Sequence, residues 1–219
     1  MHPAIKKLLA LVGNLSKPSK MPCHSYSLSA LTCPMRRIFG HITGSVCSRC
    51  YGCRGNYLYS SPKQAMANRE AALLQSQDWA KNMVNAITAT EMSGYFRWHD
   101  SGELLSVEHL EKIVAIAKAT PDIKHWLPTR NLVVLSRYFR AGGKIPKNLT
   151  VRISATFVDK PLTGGRGFGL PRSFVGSKKG IAELAKQTKA KVCTAPDTFG
   201  QCGQCRDCWG KNPIIYHLH

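Results

Sequence analysis

The sequence predicts an α/β protein, either a partial (β/α) barrel or an open parallel sheet, with a cysteine-rich, loop-rich segment before it and a cysteine-rich tail after it. Three observations lead there. After Gly94, short aromatic or β-branched runs alternate with helical periodicities, and strand–helix–strand repetition implies parallel strands joined by right-handed crossovers. Roughly four such units are legible, with room for another in the N-terminal half. A complete eight-fold barrel takes about 250 residues, more than the 219 present. Before residue 60, Pro18, Pro22, Pro34, Gly40, Gly44, Gly52 and Gly55 interrupt any long periodicity. One domain is expected: a loop segment at 1–60, an α/β core at 61–195 and a tail at 196–219.

The elements follow in order. A helix is predicted over 61–90, with Ser60 or Ser61 as cap, Pro62 in the first turn, and Met66, Ala67, Ala71, Leu74 and Trp79 near helical spacing. Residues 95–99, Tyr-Phe-Arg-Trp-His, read as a short aromatic strand. An amphipathic helix over 106–120 buries Val107, Leu110, Ile113, Val114 and Ala117, capped by Ser106. A strand at 124–129 precedes a helix at 131–141, which Gly142-Gly143 stops. The β-branched run 149–158 is the clearest strand. After a glycine-rich loop come a helix at 178–189 and a strand at 191–194.

Composition narrows the function classes. Hydrophobic residues at 43% and charged ones at 20% are ordinary for a globular chain, and a core of this size needs no disulfide staples. No run approaches the ~18 apolar residues of a spanning helix, so no membrane partner is expected. The apolar stretch 8–12 is too short for a secretory signal. Reduced thiols are therefore expected. Against 31 Lys and Arg stand only 12 Asp and Glu, a net charge of +19. Such a charge attracts polyanions, nucleic acid first, although the basic residues are dispersed.

Nine cysteines in a reducing compartment point to metal. Cys47, Cys50 and Cys53 form a C-x2-C-x2-C run, and so do Cys202, Cys205 and Cys208. Each run has a lone cysteine upstream, Cys33 and Cys193 respectively, and Cys23 is the ninth. Two-residue gaps let a chain wrap a centre while loop amides stabilise the sulfur charge. Bacterial ferredoxins use such a triple run plus a remote cysteine; structural zinc prefers paired C-x2-C knuckles. One or two [4Fe–4S] clusters are the favoured reading, and two Zn2+ sites of four cysteines each are the alternative. A [4Fe–4S]2+ core with four thiolates would offset only a few units of the positive charge.

Several stretches resemble the bacteriophage gene product 88 family. They are Lys20-Met-Pro-Cys-His-Ser-Tyr-Ser-Leu, Thr32-Cys-Pro, Gly44-Ser-Val-Cys-Ser-Arg-Cys-Tyr-Gly-Cys-Arg-Gly-Asn-Tyr, Phe96-Arg-Trp-His-Asp-Ser-Gly-Glu, Trp126-Leu-Pro-Thr-Arg, and Cys202 to Trp209. The resemblance implies a phage-encoded protein, so the reducing compartment expected above is the host cytoplasm, and the basic surface would engage nucleic acid or a host protein. Within it, Cys-x-x-Cys-Tyr is the dependable part of the N-terminal run, which makes Cys53 the weaker member and Cys23 its substitute. A fainter resemblance links the chain to radical S-adenosylmethionine enzymes, which join a [4Fe–4S] cluster to a partial barrel. It implies S-adenosylmethionine as cofactor and an enzyme acting on a nucleic acid or nucleotide. Those enzymes use C-x3-C-x2-C, and this chain does not.

Other candidates cluster where predicted strands end, the usual place for sites in parallel α/β proteins. Arg97, His99, Asp100 and Glu103 surround the end of the first strand, with His99 and Asp100 as an acid/base pair or substrate ligands, or as parts of a local loop. Arg130 closes the next strand and suits a phosphate or carboxylate, or a surface ion pair. The loop 164–169 lacks the P-loop lysine and reads as mobile. Trp209 shields a cluster or simply packs. His217 and His219 read as tail residues.

Overall fold

The computed structural model describes residues 2–218; His219 lies outside them. Seven strands form one open sheet: β1 (Ser25–Tyr26), β2 (Tyr95–Trp98), β3 (Lys124–Thr129), β4 (Leu149–Ser154), β5 (Arg172–Gly176), β6 (Lys191–Val192) and β7 (Ile214–His217). Their order is β1-β2-β3-β4-β5-β7-β6, and every pairing is parallel. The helices are α1 (Pro3–Leu11), α2 (Pro34–Phe39), α3 (Ser60–Gln75), α4 (Trp79–Thr90), α5 (Val107–Ala119), α6 (Leu132–Arg140) and α7 (Ile181–Thr188). The expected α/β class with a parallel, unclosed sheet is what the chain adopts.

Side chains alternate across a strand, and here the two faces differ. Phe96, Trp98, Leu127, Val151, Ile153, Phe174 and Ile215 share the main core with Met83, Ile87, Leu110, Ile113, Leu135 and Leu184 of the helices. The intervening positions are Arg97, Trp126, Thr150, Arg152 and Tyr216, matched across the sheet as Arg97 to Trp126 and Trp126 to Thr150. Cysteine-bearing segments cover this second face: Trp126 packs with Met21, Cys23 and Trp209.

Where α5 and α6 start, the sequence signals are local and hold. Ser106 Oγ accepts from the His109 N–H at 3.1 Å, and Asn131 Oδ1 from the Val134 N–H at 3.2 Å. Other expectations need correction. The helix over 61–90 is two helices, broken at Ser76–Asp78, and neither Ser60 nor Ser61 caps it; Tyr59 stands at that position. The break lets buried Trp79 begin α4 and donate its indole N–H to Tyr26 Oη at 3.0 Å. The strand over 149–158 leaves the sheet after Ser154. Its continuation pairs instead with the segment ahead of Cys47: Val46 N donates to Thr156 O at 2.8 Å and Val158 N to Gly44 O at 3.0 Å. β-Branched residues favour extended backbone without specifying the partner strand. The helix over 178–189 begins at Ile181, and the strand over 191–194 ends at Val192.

Strands β1, β5 and β7 lie in segments expected to be loop or tail, as do α1 and α2. A two-residue strand such as β1 has no period to read. β7 belongs to the tail yet sits between β5 and β6, with Ser173 opposite Ile214 and Lys191 opposite the same residue.

Candidate metal centre

All nine cysteines are free, and they fall into two neighbourhoods. Cys33, at the start of α2, lies beside Cys47; Cys47 lies beside Cys50, and Cys53 is hydrogen-bonded to Cys50. This first group sits at the carboxyl rim of β3 and β4, with Glu103 and Arg130 as neighbours of Cys47. The second group holds Cys193, Cys202, Cys205 and Cys208, and it also holds Cys23. Cys23 therefore does not substitute for Cys53, because β1 carries it to the opposite set of thiols. Nor does Cys193 join the first run; its backbone N–H donates to Ile215 O at 2.8 Å, which holds it just beyond β6.

Backbone and guanidinium bonds position the second group. Cys202 N donates to Lys20 O at 2.9 Å, and Cys205 N to Cys202 O at 2.9 Å. Fully buried Arg152 gathers the tail through carbonyls of Asn212 and Gly210 at 2.8 and 2.7 Å, and of Asp207 and Cys208 at 3.2 and 3.4 Å. Trp209 is buried among these thiols and donates its indole N–H to Phe96 O at 3.0 Å.

Burial dominates thiol chemistry. It pushes Cys23 and Cys33 up to about 12 and Cys208 to about 11, and it raises Cys47, Cys53 and Cys202 as well. Cations act against burial: Arg130 and Arg36 on Cys47, Arg97 and Arg206 on Cys23, Lys20 and Arg97 on Cys202. Thiolates are the metal-binding form, so ligation here must expel protons. Donor type and neighbourhood fit an iron–sulfur or zinc-thiolate centre. Among the described residues, however, no three His, Cys, Asp or Glu side chains converge into a ready-made metal pocket.

The rim residues divide by role. Asp100 is buried and accepts from Ser25 Oγ at 2.9 Å, Tyr57 Oη at 3.3 Å and the Ser27 hydroxyl; the Tyr51 hydroxyl donates to its backbone carbonyl. His99 turns the other way, its ring 5.2 Å from that of His109. It takes a left-handed φ of +51°, and burial with the Arg97 charge drops its pKa to about 3. A neutral imidazole facing another imidazole is not paired with Asp100 as an acid/base couple. Arg130 donates from Nε to Ala155 O at 2.9 Å, while its N–H donates to Glu103 Oε2 at 2.7 Å. Glu103, raised by burial, is a neighbour of both Cys33 and Cys47.

Sequence spacing did not reveal Ser25, Ser27, Trp126, Arg152 or Tyr216 as parts of these sites. Tyr216 Oη lies 3.2 Å from Cys208 Sγ, and Arg97 stacks on the Trp126 ring with Cζ 4.5 Å from its centroid. The Trp126-Leu-Pro-Thr-Arg motif was the one available signal for the tryptophan.

No helix among the described residues is long and apolar enough to cross a membrane. Neither the curated proteins nor the solved structures yield a match, and the fainter resemblance to radical S-adenosylmethionine enzymes gains no support. A family model described as gene product 88 matches residues 4–211, nearly the whole chain, and the chain belongs to that family.

Proposed function

We propose that this is an iron–sulfur protein, with [4Fe–4S] clusters held by the two thiol groups and with nucleic acid as the partner of its basic surface. One observation carries the reading. Each C-x2-C-x2-C run has a lone upstream cysteine beside it in space, Cys33 at the first and Cys193 at the second. That is the ligand pattern of a ferredoxin-type site, repeated at two places on one sheet. Cys33, Cys47, Cys50 and Cys53 hold the first cluster; Cys193, Cys202, Cys205 and Cys208 belong to the second group. A bound cluster supplies electron transfer or structural cross-linking. The surrounding arginines offset its negative charge, and the buried aromatics exclude water.

Anaerobically purified protein should be brown, with stoichiometric iron and acid-labile sulfide. Colourless protein carrying two zinc ions would replace this reading with two Zn2+ sites. An enzyme of the radical S-adenosylmethionine type requires an iron open to the cofactor. Adding S-adenosylmethionine to the reduced protein and recording its electron paramagnetic resonance spectrum tests that: an unchanged spectrum excludes it.

The nucleic-acid partner is supported by a cleft of about 370 Å3 beside the first thiol group, lined by Arg49, Tyr51, Arg54, Gly55, Asn56 and Tyr57. The tyrosine rings stand 5.7 Å apart. Arginines suit phosphates and aromatic rings suit unstacked bases. Binding of a single-stranded oligonucleotide should weaken with salt, with a log–log slope of about −0.7 per phosphate neutralised. Binding that ignores salt, with a host protein captured instead, would move the assignment to a protein partner.

A further inference from the structure

We propose that Asp100 is the positioning residue of the tyrosine-lined cleft: it fixes Tyr51 and Tyr57 so that the cleft takes an unpaired base, and hence a single strand in preference to a duplex. This rests on the nucleic-acid reading of that cleft and names what holds the site in shape.

The cleft lies on residues 49–57, a stretch of short turns. Two of them, Tyr51–Cys53 and Gly55–Leu58, carry the tyrosines. Their backbone bonds are local: Cys53 N donates to Cys50 O at 3.1 Å, Arg54 N to Tyr51 O at 3.0 Å and Tyr59 N to Asn56 O at 3.3 Å. Rings on such a loop need side-chain ties if they are to be ordered before a ligand arrives.

Side chains tie the loop to the turn after β2. The Tyr51 hydroxyl donates to the Asp100 carbonyl, and Tyr57 Oη donates to Asp100 Oδ2 at 3.3 Å. Gly52 presses on the next residue of that turn: a Cβ there would stand 2.7 Å from Ser101 Oγ and 2.8 Å from Ala30 Cβ. Asp100 is buried and fixed from its other side, where Ser25 Oγ donates to Oδ1 at 2.9 Å and the Ser27 hydroxyl donates to the same oxygen. One carboxylate oxygen is thus held by the β1 segment, and the other holds the cleft.

The rings are set accordingly. Their centroids lie 5.7 Å apart at a tilt of 55°, and Tyr51 keeps 41% of its surface exposed. A ring ordered in advance offers its face to a base at low entropic cost. Bases of a duplex already stack on one another, whereas those of a single strand can splay out onto an aromatic side chain. Arg49 and Arg54 stand beside the rings for the phosphates.

Charge gives the test its sign. A carboxylate near a phosphate-binding cleft repels the strand, so Asp100→Asn strengthens binding if charge is its only influence. A positioning role predicts weakening. Fluorescence anisotropy of a short labelled oligothymidylate with the full chain decides between them, with a duplex of equal length alongside. The parent protein should prefer the single strand. Asp100→Asn and Tyr57→Phe should each weaken its binding about tenfold, within what one stacked base contributes. The salt slope should stay that of the parent, because no phosphate contact is lost. The double variant should bind no worse than the weaker single variant, since both break the same bond. Parent-like or tighter binding by Asp100→Asn, or losses that multiply in the double variant, overturns the role. Circular dichroism verifies folding; if Asp100→Asn unfolds, Tyr57→Phe decides, and parent-like affinity there overturns the role. Equal affinity for the duplex overturns the single-strand assignment. A parent protein that binds no single strand, or that binds it undiminished as Tyr51→Ala, overturns the cleft reading and this role with it. Loss in Tyr51→Ala with none in Asp100→Asn overturns the role alone.

Discussion

The backbone N–H of Cys202 donates to the carbonyl of Lys20 across 2.9 Å, so two segments 182 residues apart meet at one group of thiols. The tail is thereby bound to the N-terminal segment as well as to the sheet, and the consequences can be measured.

Arg152 is the main anchor of that tail. Its guanidinium serves carbonyls of Arg172, Asp207, Cys208, Gly210 and Asn212 from a fully buried position. Arg152→Met should lower stability by about 3 kcal/mol or more, because it leaves several buried carbonyls unpaired. Urea denaturation reads the loss. Thiol labelling should accelerate at Cys202 and Cys208 while Cys33 stays protected; equal acceleration at all three would argue against a local anchor.

Alkali should destabilise the metal-free protein. Cys23 and Cys33 rise from 9.0 to about 12 on folding, so the folded chain holds these protons more tightly than the unfolded one. Their contribution is complete below pH 9 and is lost as pH climbs through 12. Cys23→Ala should flatten this alkaline limb in urea denaturation series. Metal affinity should show the opposite sign and increase with pH, since ligation expels the same protons.

Acid acts through a buried hydrogen-bond chain. Trp98 Nε1 donates to His125 Nδ1 at 3.3 Å, so the opposite nitrogen, Nε2, carries the proton and faces Thr120 Oγ1 at 2.8 Å; Thr120 in turn donates to Ile116 O. Burial lowers His125 from 6.5 to about 3. This depressed pKa contributes stability above pH 6.5 that disappears as pH falls through 3. His125→Gln should reduce the slope of stability against pH in that window by about 1.4 kcal/mol per pH unit. An unchanged slope would show that His125 is not the titrating group.

Gly102 joins the β2 loop to the N-terminal segment at close quarters. Its φ is +85°, and a Cβ there would come within 2.6 Å of Leu28 Cβ and 2.9 Å of the Leu28 carbonyl. Gly102→Ala should cost more than about 2 kcal/mol, combining left-handed strain with a backbone clash. Gly142 has a similar φ of +81° and open space around it, so Gly142→Ala should cost only the strain. Comparing the melting temperatures of the two variants isolates the contact.

Legibility from sequence followed the range of the interactions. Helix α5 was readable because its cap, Ser106, and its apolar periodicity act within a few residues, and α6 because Gly142-Gly143 stops it locally. The break between α3 and α4 was not, since Trp79 is placed by Tyr26, far away in sequence. The two triple cysteine runs were evident from spacing, and Arg130 was correctly set at a strand end. The His99–Asp100 pair illustrates the opposite case. The two are adjacent in sequence, yet a left-handed backbone at His99 sends one side chain toward His109 and the other toward Ser25 and Tyr57.

By itself, then, the sequence determined the α/β class, the parallel direction of the central strands, the two triple cysteine runs and the basic charge, because periodicity, spacing and composition are local properties. Tertiary structure alone decided that Cys23 joins the tail thiols, that β7 enters the sheet, and that Arg97, Trp126 and Arg152 line the face beneath the cysteines. Those outcomes depend on which surfaces are buried against each other. Parallel pairing brings together residues separated by whole crossovers, and no spacing along the chain encodes that meeting.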